Sequence, residues 1–224
     1  MNESAGGVPD ATSLYEEAQA LLFGGADSAA NTTMTGLAHL LTHPSLLQPL
    51  KTELLTAWPD LSQPPPTLEQ LEHLPYLTAV IKESLRVSPG VCSPLPRVVP
   101  ASGATIDGTF IPAGATVSMA ASSLHSNPAL FPSPQTFSPD RWVGPGGKKR
   151  ERYLVPFSRG PRACLGQSLA MCELYFAFAW VVRRFDVELE AGVKWEEEVR
   201  GWRECFLPYY TGKHLRGYCR PARM

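Results

Sequence analysis

A chain of 224 residues, 44% hydrophobic and 18% charged, has enough apolar material to bury a core as one domain or two small ones. Its 20 Lys and Arg against 21 Asp and Glu leave a formal net charge of −1, which excludes the polycation character of a nucleic-acid binder. The five cysteines (92, 164, 172, 205, 219) form no C-x-x-C pair, and their odd number argues against a complete disulfide framework, so a reducing, cytosol-facing compartment fits.

Met1 to Pro9 is polar and Gly-rich, with neither a signal core nor about twenty consecutive apolar residues, so no membrane anchor is expected. Ser13 and Glu16 stand at capping-box spacing, and the absence of proline from there to His43 predicts one long helix over 13–43, roughly 45 Å at 1.5 Å per residue. Its middle, Gly24-Gly25-Ala26-Asp27-Ser28, sets two glycines, each costing about 1 kcal/mol against alanine, beside a carboxylate and a hydroxyl. Such a notch either accepts a flat ligand with a proton-relaying pair or is a packing groove with a solvated aspartate. His39 and His43, at i and i+4 without the glutamate of a zinc helix, read as a solvated helix end.

Pro44 and Pro59 bracket a second helix with Leu46, Leu47, Leu50, Leu54 and Leu55 as its stripe, and Gln63-Pro64-Pro65-Pro66 is a linker. Thr67 and Gln70 can form a capping box. The helix after Pro75 carries Glu83 and Arg86 on one face at i, i+3, a pair that on an exposed surface contributes about 0 to 1 kcal/mol. Thr105 to Ile111 reads as a hairpin on Asp107-Gly108, with Thr116 to Met119 as a return strand completing a small sheet. His125 is expected to play a hydrogen-bonded structural role. Gly144 to Lys149 lacks the spacing and Ser/Thr of a phosphate loop and is expected to be a flexible basic loop.

Pro156, Gly160 and Pro161 then corner the chain before Cys164, and beyond it Leu165, Leu169, Cys172, Phe176 and Trp180 recur at helical spacing. A cysteine delivered to a helix N-terminus, beside Arg162, stands where an anion is favoured, and its thiolate serves as a nucleophile or a metal ligand. Phe185 to Leu189 alternates like a strand, and Tyr209 to His214 is expected to turn.

The decapeptide Phe157-Ser158-Arg159-Gly160-Pro161-Arg162-Ala163-Cys164-Leu165-Gly166 resembles, at every fixed position, the haem-ligand signature F-x-x-G-x-R-x-C-x-G of the cytochrome P-450 superfamily. The resemblance implies that Cys164 ligates the iron of haem b, that Arg162 and Arg97 contact its propionates, and that Gly160 and Gly166 allow close approach to the porphyrin. It makes Asp27 and Ser28 the acid and alcohol that relay protons during oxygen activation, with Ser28 where the family has threonine. Glu83, Arg86 and Arg141, the last from Phe137-Ser138-Pro139-Asp140-Arg141-Trp142, are implied to form a buried network that locks the meander and cysteine loop, about 128–166.

The implied fold is mainly α with a small β-sheet, the carboxyl-terminal part of the cytochrome P-450 fold, with 1–224 as a single partial domain. The details are most similar to microsomal-type enzymes of fungal secondary metabolism. The implied function is a haem-thiolate monooxygenase that inserts one oxygen atom of O2 into a lipophilic small molecule. Electrons would come from an NADPH-dependent cytochrome P-450 reductase docking on Lys148, Lys149, Arg150, Arg152 and Arg159, at the cytoplasmic side of the endoplasmic reticulum. The alternatives are a truncated haem-binding remnant without turnover and a haem-free thiol enzyme.

Overall fold

In the computed structural model, which describes residues 9–88, 90–190, 192, 202–210 and 216–222, the longest element is α1 (Ala11–Thr42). Its cap is not the expected Ser13: the Asp10 carboxylate accepts from the Ser13 amide at 2.8 Å, so the helix begins two residues earlier and Ser13 lies inside its first turn. Pro44 opens α2 (Pro44–Ala57), where Leu50 and Leu54 are fully buried but Leu55 faces solvent. The capping box of α3 (Leu68–Glu72) forms as expected, with Thr67 N donating to Gln70 Oε1 and Gln70 N to Thr67 Oγ1. The next helix, α4 (Pro75–Val87), is capped from a distance. Both carboxylate oxygens of Glu53 on α2 accept its first free amides, Tyr76 N at 2.9 Å and Leu77 N at 2.8 Å.

The core lies where α1, α2 and α4 meet α7 (Gln167–Arg184), with Leu40, Leu50, Leu54, Ile81, Leu174 and Phe178 at its centre. Gly36 makes the crossing possible. A Cβ there would stand 2.2 Å from Ser84 Oγ and 2.5 Å from the Phe178 ring, so only hydrogen lets α1 lie this close to α4 and α7. The predicted stripe of α7 is not the buried one. Leu165 is 100% exposed and Leu169 and Trp180 are exposed, while Leu174, Tyr175, Phe178, Ala179 and Val182 face the core. The segment is apolar almost all round, so its periodicity cannot select a face, and the four-helix contact selects it instead.

Among the described residues strands are short and occur as four two-stranded antiparallel ribbons where one small sheet was expected. β2 (Ala104–Ile106) and β3 (Thr109–Ile111) form the anticipated hairpin, with positive φ at Asp107 and Gly108. The return strand β4 (Thr116–Val117) pairs with β1 (Arg97–Val98), not with the hairpin. The predicted strand β5 (Phe185–Leu189) pairs with β8 (Gly217–Pro221), and β6 (Trp202–Cys205) with β7 (Leu207–Tyr210). Tyr209 and Tyr210 are thus in a strand, and the rest of the expected turn lies outside the described residues.

After α5 (Ala121–His125) the chain meanders through a 3-10 turn at Pro139–Trp142 to α6 (Pro145–Arg150). That basic segment is a helix and not a flexible loop. Pro145 starts it with a preset φ, and Lys148, Lys149 and Arg150 sit in its last turn, where cations complement the dipole. His43 is exposed as expected, but His39 is half-buried and stacks on Phe137 with ring centroids 4.6 Å apart. No helix among the described residues is long and apolar enough to cross a membrane.

Candidate functional site

Glu83, fully buried on α4, is the electrostatic centre beneath the meander. Its Oε1 accepts from Arg86 Nη2 (2.8 Å), Ser138 N (2.9 Å) and Arg141 Nε (3.1 Å), and its Oε2 from Arg86 Nε (2.9 Å) and Trp142 Nε1 (2.8 Å). Burial pushes the carboxyl up, but the hydrogen bonds and charge of Arg86, the Ser138 amide and the charge of Arg141 outweigh it and hold Glu83 below the usual carboxylate range. The helix spacing that brings Glu83 and Arg86 together would be nearly worthless on a surface; here both are buried and every acceptor site is used.

Both arginines then spend their remaining donors on meander carbonyls. Arg86 donates to the backbone oxygens of His125 (3.1 Å), Pro134 (2.7 Å) and Thr136 (3.1 Å). Arg141 donates to those of Pro132 (2.9 Å), Ser133 and Thr136. One carboxylate therefore organises a segment that has almost no regular structure of its own, and the three residues expected to form a network do so. Trp142 completes it, although sequence reasoning passed over it. The available signal was an indole N–H one residue from Arg141, a donor that needs a partner when buried.

The cysteine loop leaves this platform at Val155. Its amide donates to the ring of His125 at 3.0 Å, its carbonyl accepts Ser158 N at 3.1 Å, and Cys164 N closes the loop onto Phe157 O at 2.8 Å. Gly160, at φ +76°, makes the corner that a side chain would strain, whereas Gly166 has an ordinary backbone and caps α7. Cys164 thus stands two residues before the cap and not on the first helical turn. It is exposed, next to the fully exposed Leu165 and one turn from exposed Leu169, and a Cβ on Gly160 would meet nothing within 4 Å.

Among the described residues no three His, Cys, Asp or Glu converge as a metal site. A single free thiol on an open, partly apolar shelf fits a group that brings its other ligands with it and needs one soft donor from the protein, with Arg162 exposed close by in the loop as a cation for acidic substituents. The other expected residues are not drawn to the loop. Arg97 is exposed on β1 and donates to Pro96 O. Asp27 is exposed on α1, which runs unbroken through Gly24 and Gly25, and Ser28 Oγ donates back to Gly24 O at 3.1 Å.

Comparison with known proteins places the chain in a family. The family model described as cytochrome P-450 matches residues 2–214. The chain is 39% identical over 209 residues to the cytochrome P-450 monooxygenase flvC of Aspergillus flavus, covering 93% of this chain and 38% of that protein. It is 42% identical over 211 residues to macH of Penicillium terrestre (93% of this chain, 41% of the relative) and 38% identical over 200 residues to asqL of Emericella nidulans (89% and 41%), both also cytochrome P-450 monooxygenases. It spans about two fifths of the length of these relatives. A match over nearly the whole chain, a buried Glu83–Arg86–Arg141 network and a closed loop presenting one free cysteine lead to one assignment: the chain belongs to the cytochrome P-450 family.

Proposed function

We propose that this chain carries the haem-thiolate core of a monooxygenase that inserts one oxygen atom of O2 into a lipophilic small molecule, in the making of a fungal secondary metabolite. The observation that carries the reading is the exposed thiol of Cys164, on a loop that closes on itself and is tied at Val155, through His125, to the Glu83–Arg86 network. Haem b, when bound, supplies the oxygen-activating chemistry, and Cys164 would hold its iron as an electron-donating thiolate. Arg162, with Arg97, would hold the propionates, and Gly160 and Gly166 would leave the porphyrin face clear.

Asp27 and Ser28 would hold and pass protons. Serine keeps the hydroxyl that this requires, and its present bond to Gly24 O is one it can exchange by rotating χ1. Electrons would arrive from an NADPH-dependent flavoprotein reductase at the cytoplasmic face of the endoplasmic reticulum. The exposed Lys148 and Lys149 on α6 attract an acidic partner, whereas Arg150 and Arg159 are committed to the carbonyls of Arg141 and Arg152.

A second reading, haem binding without turnover, is favoured by one observation: Leu21, Leu22 and Phe23, just before the glycine notch, are 67%, 70% and 79% exposed, so the described residues leave that half of α1 uncovered. The reduced, CO-treated spectrum of the haem-reconstituted chain decides between them in part and tests the ligand outright. Cys164→Ser should abolish the thiolate-type Soret band, while serine at 172, 205 or 219 should not; retention of the band in Cys164→Ser would overturn the assignment. A thiolate-type band without substrate oxidation in the presence of reductase supports the second reading.

A further inference from the structure

We propose that His125 is a positioning residue for the cysteine loop: its ring accepts the Val155 amide and ties the first residue of the loop to the Glu83–Arg86 network. The ring is 3% exposed, and Val155 N reaches Nε2 at 3.0 Å. An N–H donor at that distance requires an unprotonated Nε2, so the ring proton resides on Nδ1.

His125 is held on both sides of this bond. Its carbonyl accepts Arg86 Nη1 at 3.1 Å, fixing its backbone to α4. Its ring meets Phe131 edge-on, centroids 6.3 Å apart at 87°, and the Arg86 guanidinium lies over the other part of that arrangement, 5.6 Å from the Phe131 centroid. The imidazole is thereby wedged in one orientation. Burial, and then the charge of Arg86, push its pKa down to about 4, against the weaker upward pull of Glu83, so the acceptor form is the one present at neutral pH.

The bond has a short path to the sulfur. Val155 has both backbone groups committed, N–H to His125 and C=O to Ser158 N, and the loop closes from Phe157 O to Cys164 N only two residues on. Glu83 and Arg86 orient the meander, but the Val155 amide is where the histidine transmits that order into the ten residues that present the thiol. The role of the loop in holding haem rests on the function proposed above; the tie itself does not.

The test compares His125→Phe, which keeps an aromatic ring but removes the acceptor, with His125→Gln, whose side-chain oxygen can take the same amide. Hydrogen exchange of the full chain without haem is the first readout. In His125→Phe the amides of Val155, Ser158 and Cys164 should exchange about tenfold faster, the effect of leaving one buried donor unpaired, while amides of α7 at Leu174 to Val182 change less than about twofold. His125→Gln should restore the loop to within about twofold of the wild type. Equal loop exchange in wild type and His125→Phe, or acceleration spread evenly over loop and α7, overturns the proposal, as does a failure of glutamine to rescue. In the haem-loaded chain the Phe variant should lose part of its thiolate-type CO band and the Gln variant should keep it. A wild type that takes up no haem would remove the function proposed above, and the exchange comparison would still decide the role of His125.

Discussion

Replacing Glu83 by glutamine changes one oxygen to an amide, yet it should remove a large share of the stability. The carboxylate accepts five donors, three on Oε1 and two on Oε2. Glutamine has one acceptor oxygen. In its better orientation it keeps the Oε1 set and turns its NH2 toward Arg86 Nε and Trp142 Nε1; in the other it strands three donors. At least two buried donors lose their partner, each costing about 1–3 kcal/mol. The buried Arg86 also loses its counter-charge, and breaking such a pair from one side costs about 3–5 kcal/mol. The two costs overlap because the same bonds are counted in each, so about 4 kcal/mol is expected against the 5–15 kcal/mol typical of a domain. Urea unfolding monitored by tryptophan fluorescence reads it directly. At a slope near 2 kcal/mol per M the midpoint should fall by about 2 M. A shift below about 0.5 M would show that the network does not hold the fold together. The acid response provides a second readout. A carboxyl held low in the fold contributes stability that is complete above its unfolded value of 4.5 and is lost as pH falls through the lower folded value, so the acid-unfolding limb should be shallower in the glutamine variant.

Gly36→Ala should destabilise by about 1–3 kcal/mol, read as a lower thermal midpoint, because its methyl would collide with Ser84 and Phe178; a gain in stability, as helix propensity alone predicts, would refute the close crossing. His125, with an ordinary value of 6.5 and a folded one of about 4, binds its proton more readily when unfolded, so its contribution is complete above pH 6.5 and is lost on going down toward 4. About 2 kcal/mol should disappear between pH 6.5 and 5, and urea midpoints of wild type and His125→Gln at those two pH values should differ by that loss. Lys148→Glu with Lys149→Glu should slow reductase-driven haem reduction several-fold at low salt and leave dithionite reduction unchanged; equal reductase rates would remove α6 from electron delivery.

The parts of this molecule that were legible in the sequence are those where a short motif decides its own geometry. Thr67 and Gln70 cap a helix with two bonds made by three successive residues' worth of backbone, and Asp107-Gly108 closes a two-residue hairpin. Pro44 and Pro75 mark helix starts because each lacks the amide that would be left unpaired there. The cysteine loop was legible for the same reason: its corners are backbone preferences of Gly160 and Pro161. What could not be read from spacing was any choice made by a distant partner. The face of α7 is selected by four other helices, α1 to α4, the first amides of α4 are capped by Glu53 on α2, and β4 joins β1 across the hairpin instead of extending it. The Glu83 network lies between these cases. Its Glu83–Arg86 half follows from helix geometry, whereas Arg141 was placed only by resemblance and Trp142 was missed, because both reach Glu83 across more than fifty residues of chain.

The three glycines of α1 separate what the described residues explain from what they leave to function. Gly36 is explained internally, since side chains from two helices fill the space its missing Cβ vacates. At Gly24 and Gly25 an added Cβ would meet nothing within 4 Å, so no contact among the described residues demands glycine, and each costs the helix about 1 kcal/mol against alanine. Among the described residues no side chain packs into the groove, and Asp27 faces solvent. The same line of α1 that is buried at Thr32, Thr35, Gly36 and Leu40 runs on to Leu14 and Leu21, which are 50% and 67% exposed, so the apolar pattern continues past the point where α4 and α7 stop covering it. The stretch thus spends helix stability on glycines and keeps an acid, an alcohol and an apolar stripe beside them, the acid and the stripe exposed among the described residues. Under the function proposed above, a flat ligand lying against the helix is the approach that these residues fit.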